Sequence, residues 1–200
     1  LFDLGLSSWQ LDESKKGFSY KKDEPLKMIL NADQVVTAEE IINTWPEEEL
    51  AKIFKEYGEE RFARKIVQKI VQQRGLSPIK TTFQLFEIIK RSVPFSKTSR
   101  GRTDRVAARI FQALRIAVND EMENLKKGME QALQILNQGG RIVVISFHSL
   151  EDRIVKWFFR EKEKEGKIKI LTKKPLTAGE TEIIVNSRSR SAKLRAAMYL

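Results

Sequence analysis

The stretch Arg141-Ile-Val-Val-Ile-Ser-Phe-His-Ser-Leu-Glu-Asp-Arg153 decides the fold of this chain. Its apolar run predicts a buried strand over 141–146, and Ser149 followed by two acids is typical of a helix N-cap with a favourable first turn. The chain's one histidine, His148, lies at the corner between strand and helix. Ligands of open α/β sheets bind outside the carboxyl ends of the strands, so this corner is a candidate site. An ordinary strand-to-helix turn is the alternative.

Outward from this stretch, short strand patterns alternate with helical patterns, which indicates an α/β fold. A strand tail opens the chain before a polar loop, and further extended pieces are predicted at 168–171, 182–185 and 192–200. The last two flank a basic loop, and the final piece also has helical propensity. One long amphipathic helical segment covers 106–136 and ends at Gly139-Gly140.

Residues 36–100 contain helical patterns and no strand pattern, starting from the capping box Thr37-Ala-Glu-Glu40. A basic loop then leads into the long helical segment, with Lys97, Arg100, Arg102 and Arg105. We therefore expect a discontinuous α/β domain over residues 1–35 and 101–200. An all-α domain, expected to recognise substrate, is inserted at 36–100.

Composition narrows the classes of function. The formal net charge of +10 makes a polyanion partner plausible, although a lysine-rich surface alone would give a similar balance. The absence of cysteine excludes disulfides and cysteine-based zinc sites, and a single histidine excludes a histidine-rich metal site. No apolar run approaches the ~20 residues of a membrane span, and no signal peptide is visible. We expect a cytoplasmic protein with no bound metal and no membrane partner.

The first residues, Leu1-Phe-Asp-Leu-Gly5, lie inside a predicted strand and are not preceded by an initiating methionine. A lone strand leaves its backbone groups without partners, so this strand needs neighbours. We expect the chain to be the later part of a longer protein and to hold the C-terminal part of its sheet.

Six sequence blocks occur in a fixed order along the chain. They are Phe2-Asp-Leu-Gly-Leu-Ser-Ser8 with Gln10, Gly17-Phe-Ser19 with Asp23-Glu-Pro-Leu26, Tyr57-Gly-Glu-Glu-Arg-Phe-Ala63, Phe111-Gln-Ala-Leu-Arg-Ile116 with Val118-Asn119, Ser146-Phe-His-Ser-Leu-Glu-Asp-Arg153, and Ser187-Arg-Ser-Arg-Ser-Ala-Lys-Leu-Arg195. Together they resemble the bacterial cytosine-N4 methyltransferases of small-subunit ribosomal RNA, the MraW or RsmH family.

The resemblance implies a class I, Rossmann-like S-adenosylmethionine-dependent methyltransferase with a helical domain inserted in its sheet domain. It implies methylation of the exocyclic N4 amine of a cytosine in the decoding centre of 16S ribosomal RNA, with the small ribosomal subunit as partner. Asp3 and Gln10 match family positions that contact S-adenosyl-L-methionine. The glycine-rich cofactor loop and the acid that holds the ribose belong to an earlier portion and are absent from these 200 residues.

Two positions depart from the family pattern. After Pro25-Leu26 the family usually continues Asp-Met-Arg-Met-Asp, whereas this chain has Lys27-Met-Ile-Leu-Asn31. Before the Phe-Gln-Ala-Leu-Arg block the family commonly has His-Pro, whereas this chain has Arg105-Val106. The first change puts substrate positioning by that loop in doubt.

Asp3 and His148 are the candidate catalytic residues. Methyl transfer to an amine needs close alignment and an acceptor for the proton that the amine loses. A carboxylate such as Asp3 can accept a hydrogen bond from the amine, as acids do from cytosine N4, or from the cofactor. His148 could accept a proton or hydrogen-bond the base. Asp3 could instead only shape the turn before Gly5, and His148 could only bond to the backbone. We expect Gly5 and Phe147 to adjoin if the two strand ends form one site.

The C-terminal quarter holds the densest basic patch, with thirteen Lys or Arg against seven Asp or Glu over residues 151–200. Its expected role is phosphate contact by Arg188, Arg190, Lys193 and Arg195, and a merely solvated charge run is the alternative. An enzyme that extracts its target base can stack it on an exposed aromatic side chain. The candidates are Trp9, Phe18 and Tyr20, and each of them could equally be a core residue.

Two competing functions stay open from the sequence. The chain could be a non-catalytic fragment that binds ribosomal RNA, so the activity of these 200 residues alone is not established. A DNA amino-methyltransferase is less favoured, since the chain has no Asp/Asn-Pro-Pro-Tyr/Phe motif. The proton acceptor and a homodimeric assembly are also left open.

Overall fold

The computed structural model describes residues 1–94 and 101–200. The predicted basic-loop residues Lys97 and Arg100, and the predicted domain limit at residue 100, lie outside the described residues. Two compact units make up the described chain: Leu1–Gly5 with Met122–Leu200, here called the sheet unit, and Leu6–Glu121, here called the helical unit. The limits between these units, at 5/6 and 121/122, differ from the predicted domain limits at 35/36 and 100/101.

The sheet unit contains a mixed sheet with the strand order β1-β2-β5-β3, and β4 pairs with the start of β5. Its strands are β1 (Phe2–Asp3), β2 (Arg141–Ser146), β3 (Ile168–Ile170), β4 (Leu176–Thr177) and β5 (Lys193–Tyr199). The pair β1 and β2 is parallel, whereas β5 runs antiparallel to β2, β3 and β4. The described residues therefore have the mixed α/β character that the sequence predicts.

Two long helices supply apolar residues to the core of the sheet unit, α7 (Glu121–Ile135) and α8 (Ser149–Lys164). The core contains Leu125, Met129, Leu133, Ile142, Val144, Val155, Phe158, Phe159, Ile168 and Ala197. Lys162 of α8 is buried and forms an ion pair with Glu130 of α7 at 2.9 Å. The hydrogen bond that Lys162 donates to Glu130 raises the pKa of Lys162, and it outweighs burial, which acts in the opposite direction. The cation therefore stays charged where the two helices meet.

The helical unit consists of α1 (Ser8–Asp12), α2 (Ala38–Thr44), α3 (Glu47–Glu56), α4 (Ala63–Leu76), α5 (Thr82–Ser92) and α6 (Arg102–Asn119). Its described residues form no strand, and they contain one isolated bridge, between Pro25 and Thr81. Helix α2 begins after Thr37, whose hydroxyl accepts from the N–H of Glu40, as the capping pattern predicts. Within the described ranges, no helix is both long and apolar enough to cross a bilayer.

The predictions for three segments were wrong. Residues 180–185 form a helix, α9 (Glu180–Val185), because Glu180 and Glu182 support its first turn and no strand pairs with this exposed segment. The predicted basic loop is a 3₁₀ helix, Ser187–Ser191. The long helical segment is two helices, since Asp120 adopts a left-handed conformation with φ of 48° between α6 and α7.

Candidate functional site

The carboxyl ends of β1 and β2 lie side by side. Phe2 pairs with Val144 and Asp3 with Ile145, and the N–H of Leu4 donates to the carbonyl of Ile145 at 3.0 Å. Beyond the strands, a Cβ built on Gly5 would lie 3.4 Å from the ring of Phe147. The prediction that these two strand ends adjoin is therefore confirmed.

Asp3 is the last residue of β1, and it is exposed. Across the described residues, its carboxylate has no hydrogen bond or ion pair with the protein. A carboxylate accepts hydrogen bonds through both oxygens, so Asp3 can receive an amine or a hydroxyl from a ligand at this strand end. Its catalytic and cofactor-binding roles remain predictions.

His148 is the N-cap of α8, whereas the sequence predicted Ser149 as the cap. Its Nδ1 accepts from the N–H of Glu151 at 3.4 Å. The carboxylate of Glu151 accepts in return from the N–H of Phe147 at 2.8 Å and of His148 at 3.3 Å. The result is a capping box that fixes the corner between β2 and α8. The imidazole replaces the usual hydroxyl because its Nδ1 has a free acceptor lone pair.

The other ring nitrogen of His148 has no such role in the cap. Its Nε2 is buried, lies 3.2 Å from a carboxylate oxygen of Glu151, and makes no hydrogen bond with described residues. A neutral imidazole that accepts through Nδ1 carries its proton on Nε2. With Nδ1 in the capping box, Nε2 is the ring nitrogen of His148 that is left for another hydrogen bond, and its catalytic role remains a prediction.

The basic C-terminal segment lies at the same end of the sheet as Asp3 and His148. Lys193 begins β5 and pairs with Ser146, the last residue of β2, so the 3₁₀ helix Ser187–Ser191 precedes β5 at the carboxyl end of β2. Arg188 and Arg190 of this helix are exposed. Five predicted site residues therefore share one end of the sheet unit: Asp3, His148, Arg188, Arg190 and Lys193.

Arg195 differs from the other residues of the predicted phosphate patch. It is buried, and its guanidinium donates to both carboxylate oxygens of Asp152, at 2.7 and 3.3 Å. Lys193 lies 3.4 Å from the same carboxylate. Burial alone would raise the pKa of Asp152, but the hydrogen bond and charge of Arg195, helped by Lys193, lower it below its usual range. Arg195 therefore holds β5 to the first turn of α8, a role that the sequence did not indicate.

Gln10 belongs to the helical unit, where it closes a second capping box. Its side-chain oxygen accepts from the N–H of Ser7 at 2.8 Å, while the hydroxyl of Ser7 accepts from the N–H of Gln10 at 3.2 Å. The amide group of Gln10 keeps its N–H donors for other partners. Its predicted contact with a cofactor remains a prediction, and the capping role explains its spacing from Ser7 without a ligand.

The block at 17–26 is structural. Gly17 has a φ of 76°, and a Cβ there would overlap the carbonyl oxygen of Pro25. Glu24 is buried and accepts from the N–H of Gly17 at 2.9 Å, so the block folds back on itself. The residue types at both positions follow from this tight turn.

The three candidate stacking aromatics have different environments. Phe18 is buried in the core of the helical unit, and Tyr20 stacks on Phe86 with ring centroids 5.4 Å apart. Burial, with a smaller contribution from Asp104, raises the pKa of Tyr20. Trp9 is 65% exposed. Of the three, only Trp9 is available to stack on a base.

Asn119 fixes the loop that departs from the family pattern. Its side-chain amide donates to the carbonyl of Met28 at 2.8 Å and accepts from the N–H of Leu30 at 2.9 Å. Met28 is fully buried and has a φ of 54°. The loop is thus tied to α6 despite its altered sequence, and the pairing of Asn119 with this loop is not visible in the sequence because 91 residues separate the partners.

A family profile described as "MraW methylase family" matches residues 1–199. A protein of Halothermothrix orenii named ribosomal RNA small subunit methyltransferase H is 50% identical over 212 residues, which cover 98% of this chain and 68% of that protein. Proteins with the same name from Carboxydothermus hydrogenoformans and Clostridium botulinum strain Loch Maree are each 48% identical. The Carboxydothermus match covers 100% of this chain and 68% of that protein. The Clostridium match covers 98% of this chain and 67% of that protein.

Proposed function

This chain belongs to the MraW methylase family, whose members use S-adenosyl-L-methionine, and we propose that it methylates the exocyclic N4 amine of a cytosine in the decoding centre of 16S ribosomal RNA. The names of its relatives support ribosomal RNA of the small subunit as substrate. The choice of atom and base rests on the resemblance of the sequence blocks. The same reasoning gives the small ribosomal subunit as partner and the cytoplasm as compartment.

The pair of adjoining strand ends carries this proposal. S-adenosylmethionine supplies an electrophilic methyl group, together with amino and hydroxyl donors that need acceptors. The carboxylate of Asp3 is such an acceptor, since it is exposed and unpaired among the described residues. The buried Nε2 of His148, which lacks a hydrogen-bond partner there, is a matching donor. An exposed carboxylate at the end of β1 and a histidine just beyond the end of β2 support binding of this cofactor or its base substrate at that end of the sheet.

In this proposal, Asp3 and His148 orient different groups of the bound cofactor and base. Asp3 accepts a hydrogen bond from the cofactor or from the cytosine amine and so restricts the approach of the nitrogen. His148 donates through Nε2 to an acceptor on the base, while Nδ1 stays in the capping box. Because Glu151 fixes the corner through two backbone N–H groups, the imidazole keeps its direction when substrate binds.

Arg188 and Arg190 contact the phosphates of the RNA in this proposal. Both side chains are exposed on the 3₁₀ helix at the carboxyl end of β2, the end that also carries Asp3 and His148. Phosphate contacts position RNA without reading its sequence. Lys193 adds charge near them, whereas Arg195 supports this edge through Asp152. The helical unit, with its all-α architecture, is proposed to recognise the substrate.

Calorimetric titration with S-adenosylmethionine, followed by methyl transfer to isolated small subunits, tests the proposal. We expect binding of the cofactor and label on one cytosine. The second candidate, an RNA-binding module without catalysis, predicts RNA binding with neither cofactor binding nor label. The double variant Arg188→Ala with Arg190→Ala should weaken RNA binding and leave cofactor affinity unchanged. Its matched control replaces Lys127 and Arg141, one lysine and one arginine that are exposed elsewhere on the sheet unit.

A further inference from the structure

A second cationic surface lies on the sheet unit, at the edge of the sheet away from β1. A groove of about 290 Å³ runs between α8 and the end of β3. Its basic residues are Lys156, Arg160, Lys173 and Arg195, and Phe159 and Ile170 line its apolar part. We call it the α8–β3 groove.

Three of these four cations have no carboxylate partner within the described part of the chain. Arg195 is held by Asp152, but Lys156, Arg160 and Lys173 form no ion pair there. The one acid of the groove, Glu163, accepts from the N–H of Ile170 at 2.9 Å and is thereby engaged with the backbone. Three cations without a carboxylate partner in one groove favour an anionic occupant.

An exposed aromatic adjoins the groove. Trp157 is 58% exposed. The charged ends of Lys156 and Arg160 lie 5.9 and 5.3 Å from its ring. An indole face beside cations is the arrangement with which proteins stack a base and hold the adjoining phosphate.

The groove shares Arg195 with the predicted phosphate patch but contains neither Asp3 nor His148. In the strand order β1-β2-β5-β3, Asp3 and His148 lie at the ends of β1 and β2, whereas the groove extends from Arg195 on β5 to Ile170 at the end of β3. Three strand spacings, about 14 Å, separate the two edge strands. A single RNA strand held at the site is long enough to reach the groove as well.

We propose that the α8–β3 groove binds single-stranded RNA outside the target nucleotide, with Lys156, Arg160 and Lys173 on phosphates and Trp157 stacked on a base. The inference rests on the proposed function for the identity of the RNA. Its geometry and charge do not depend on catalysis. An acidic protein segment would match the charges, but the indole face beside the cations also offers a stacking surface for a base, so RNA is the occupant that we propose.

Fluorescence anisotropy with a labelled single-stranded oligocytidine of about twelve nucleotides tests the groove on the full chain. Lys156→Gln with Arg160→Gln removes two phosphate contacts, so the slope of log affinity against log salt should become shallower by about 1.4. The matched control, Lys127→Gln with Arg141→Gln, carries the same charge change on other exposed positions and should keep the wild-type slope. Equal slopes for the two double variants would overturn the proposal.

Trp157 is tested by a pair of substitutions that differ in aromaticity. Trp157→Leu should weaken RNA binding by about fivefold or more, whereas Trp157→Phe should retain most of it. Identical affinities for wild type, Trp157→Leu and Trp157→Phe would contradict stacking. Competition by oligoglutamate that displaces RNA from wild type as well as unlabelled RNA does would assign the groove to an acidic partner instead.

Methyl transfer to isolated small subunits separates this inference from the proposed function. If wild type transfers no methyl but the Lys156 and Arg160 variant loses RNA affinity, the groove stands and the proposed function falls. If wild type methylates normally and the variant binds RNA like the control, the groove alone is refuted.

Discussion

Asp3 and Ile145 are register partners on two parallel strands, although 142 positions separate them in the chain. The pairing brings Asp3 to the same end of the sheet as the corner at Phe147 and His148, which follows the carboxyl end of β2. Parallel strands present their carboxyl ends at one edge, and ligands of open α/β sheets bind there. The candidate site is therefore a consequence of strand direction, before any side-chain chemistry is considered.

Asp3→Asn should weaken S-adenosylmethionine binding. Loss of a charge-assisted hydrogen bond costs about 1.5–3 kcal/mol, which corresponds to roughly 10- to 150-fold in affinity. Calorimetry on the folded variant measures the change. Asp33→Asn, a neutralisation of another exposed aspartate, is the control and should bind like wild type. Equal affinities for the two variants would remove Asp3 from the cofactor site.

His148 can be tested for its two roles separately. Asn is a good N-cap, so His148→Asn should keep thermal stability close to wild type while it removes the Nε2 donor and lowers methyl transfer. His148→Ala removes both, and it should also lose about 1 kcal/mol of stability because the cap is gone. Thermal unfolding and transfer rates measured on both variants distinguish the roles. Full transfer by His148→Asn would show that His148 is only a cap.

The sequence predicts those parts of the fold that depend on local patterns. The strand at 141–146 and the helix after Thr37 follow from an apolar run and a capping pattern, and both are present. Ile183-Ile184-Val185 has strand propensity, yet it is helical because it has no partner strand. Propensity alone cannot supply such a partner.

The site shows the same division between local and distant information. The spacing His148-x-x-Glu151 is a capping box in retrospect, although histidine in the first position hides the pattern. Arg195 was assigned to phosphate because it ends a basic run, whereas its partner Asp152 lies 43 residues away. Pairs of this kind are set by strand register, which a single sequence does not specify.

The Asp152–Arg195 pair should make stability depend on pH. The pKa of Asp152 is lower in the folded protein than in the unfolded chain. The ion pair therefore adds fully to the free energy of unfolding above the unfolded pKa, and this addition is lost as pH falls through the folded pKa. At neutral pH, Asp152→Asn should cost about 3 kcal/mol, because it leaves a buried guanidinium without its counter-charge. Denaturant unfolding across the acid range should show wild type and variant converging. A difference in the free energy of unfolding between wild type and variant that stays constant with pH would contradict the lowered pKa of Asp152.

Gly17 and Gly75 form a matched pair for backbone strain in the helical unit. Gly17→Ala should destabilise the protein by about 2 kcal/mol or more, since its φ is 76° and the added methyl group meets Pro25. Gly75→Ala lies in α4, with open space around the new Cβ, and should stabilise by about 0.5–1 kcal/mol. Denaturant midpoints of the two variants test the contrast, and changes of the same sign would contradict the turn geometry.

Transfer of labelled methyl from S-adenosylmethionine to isolated small ribosomal subunits, with the label mapped by mass spectrometry, tests the central claim most directly. Wild type should place the label on the N4 amine of one cytosine in 16S ribosomal RNA. Asp3→Asn and His148→Asn, both folded, should transfer it far more slowly. Transfer at the wild-type rate by both variants, or label on any other atom, would contradict a methyl-transfer site at the adjoining ends of β1 and β2.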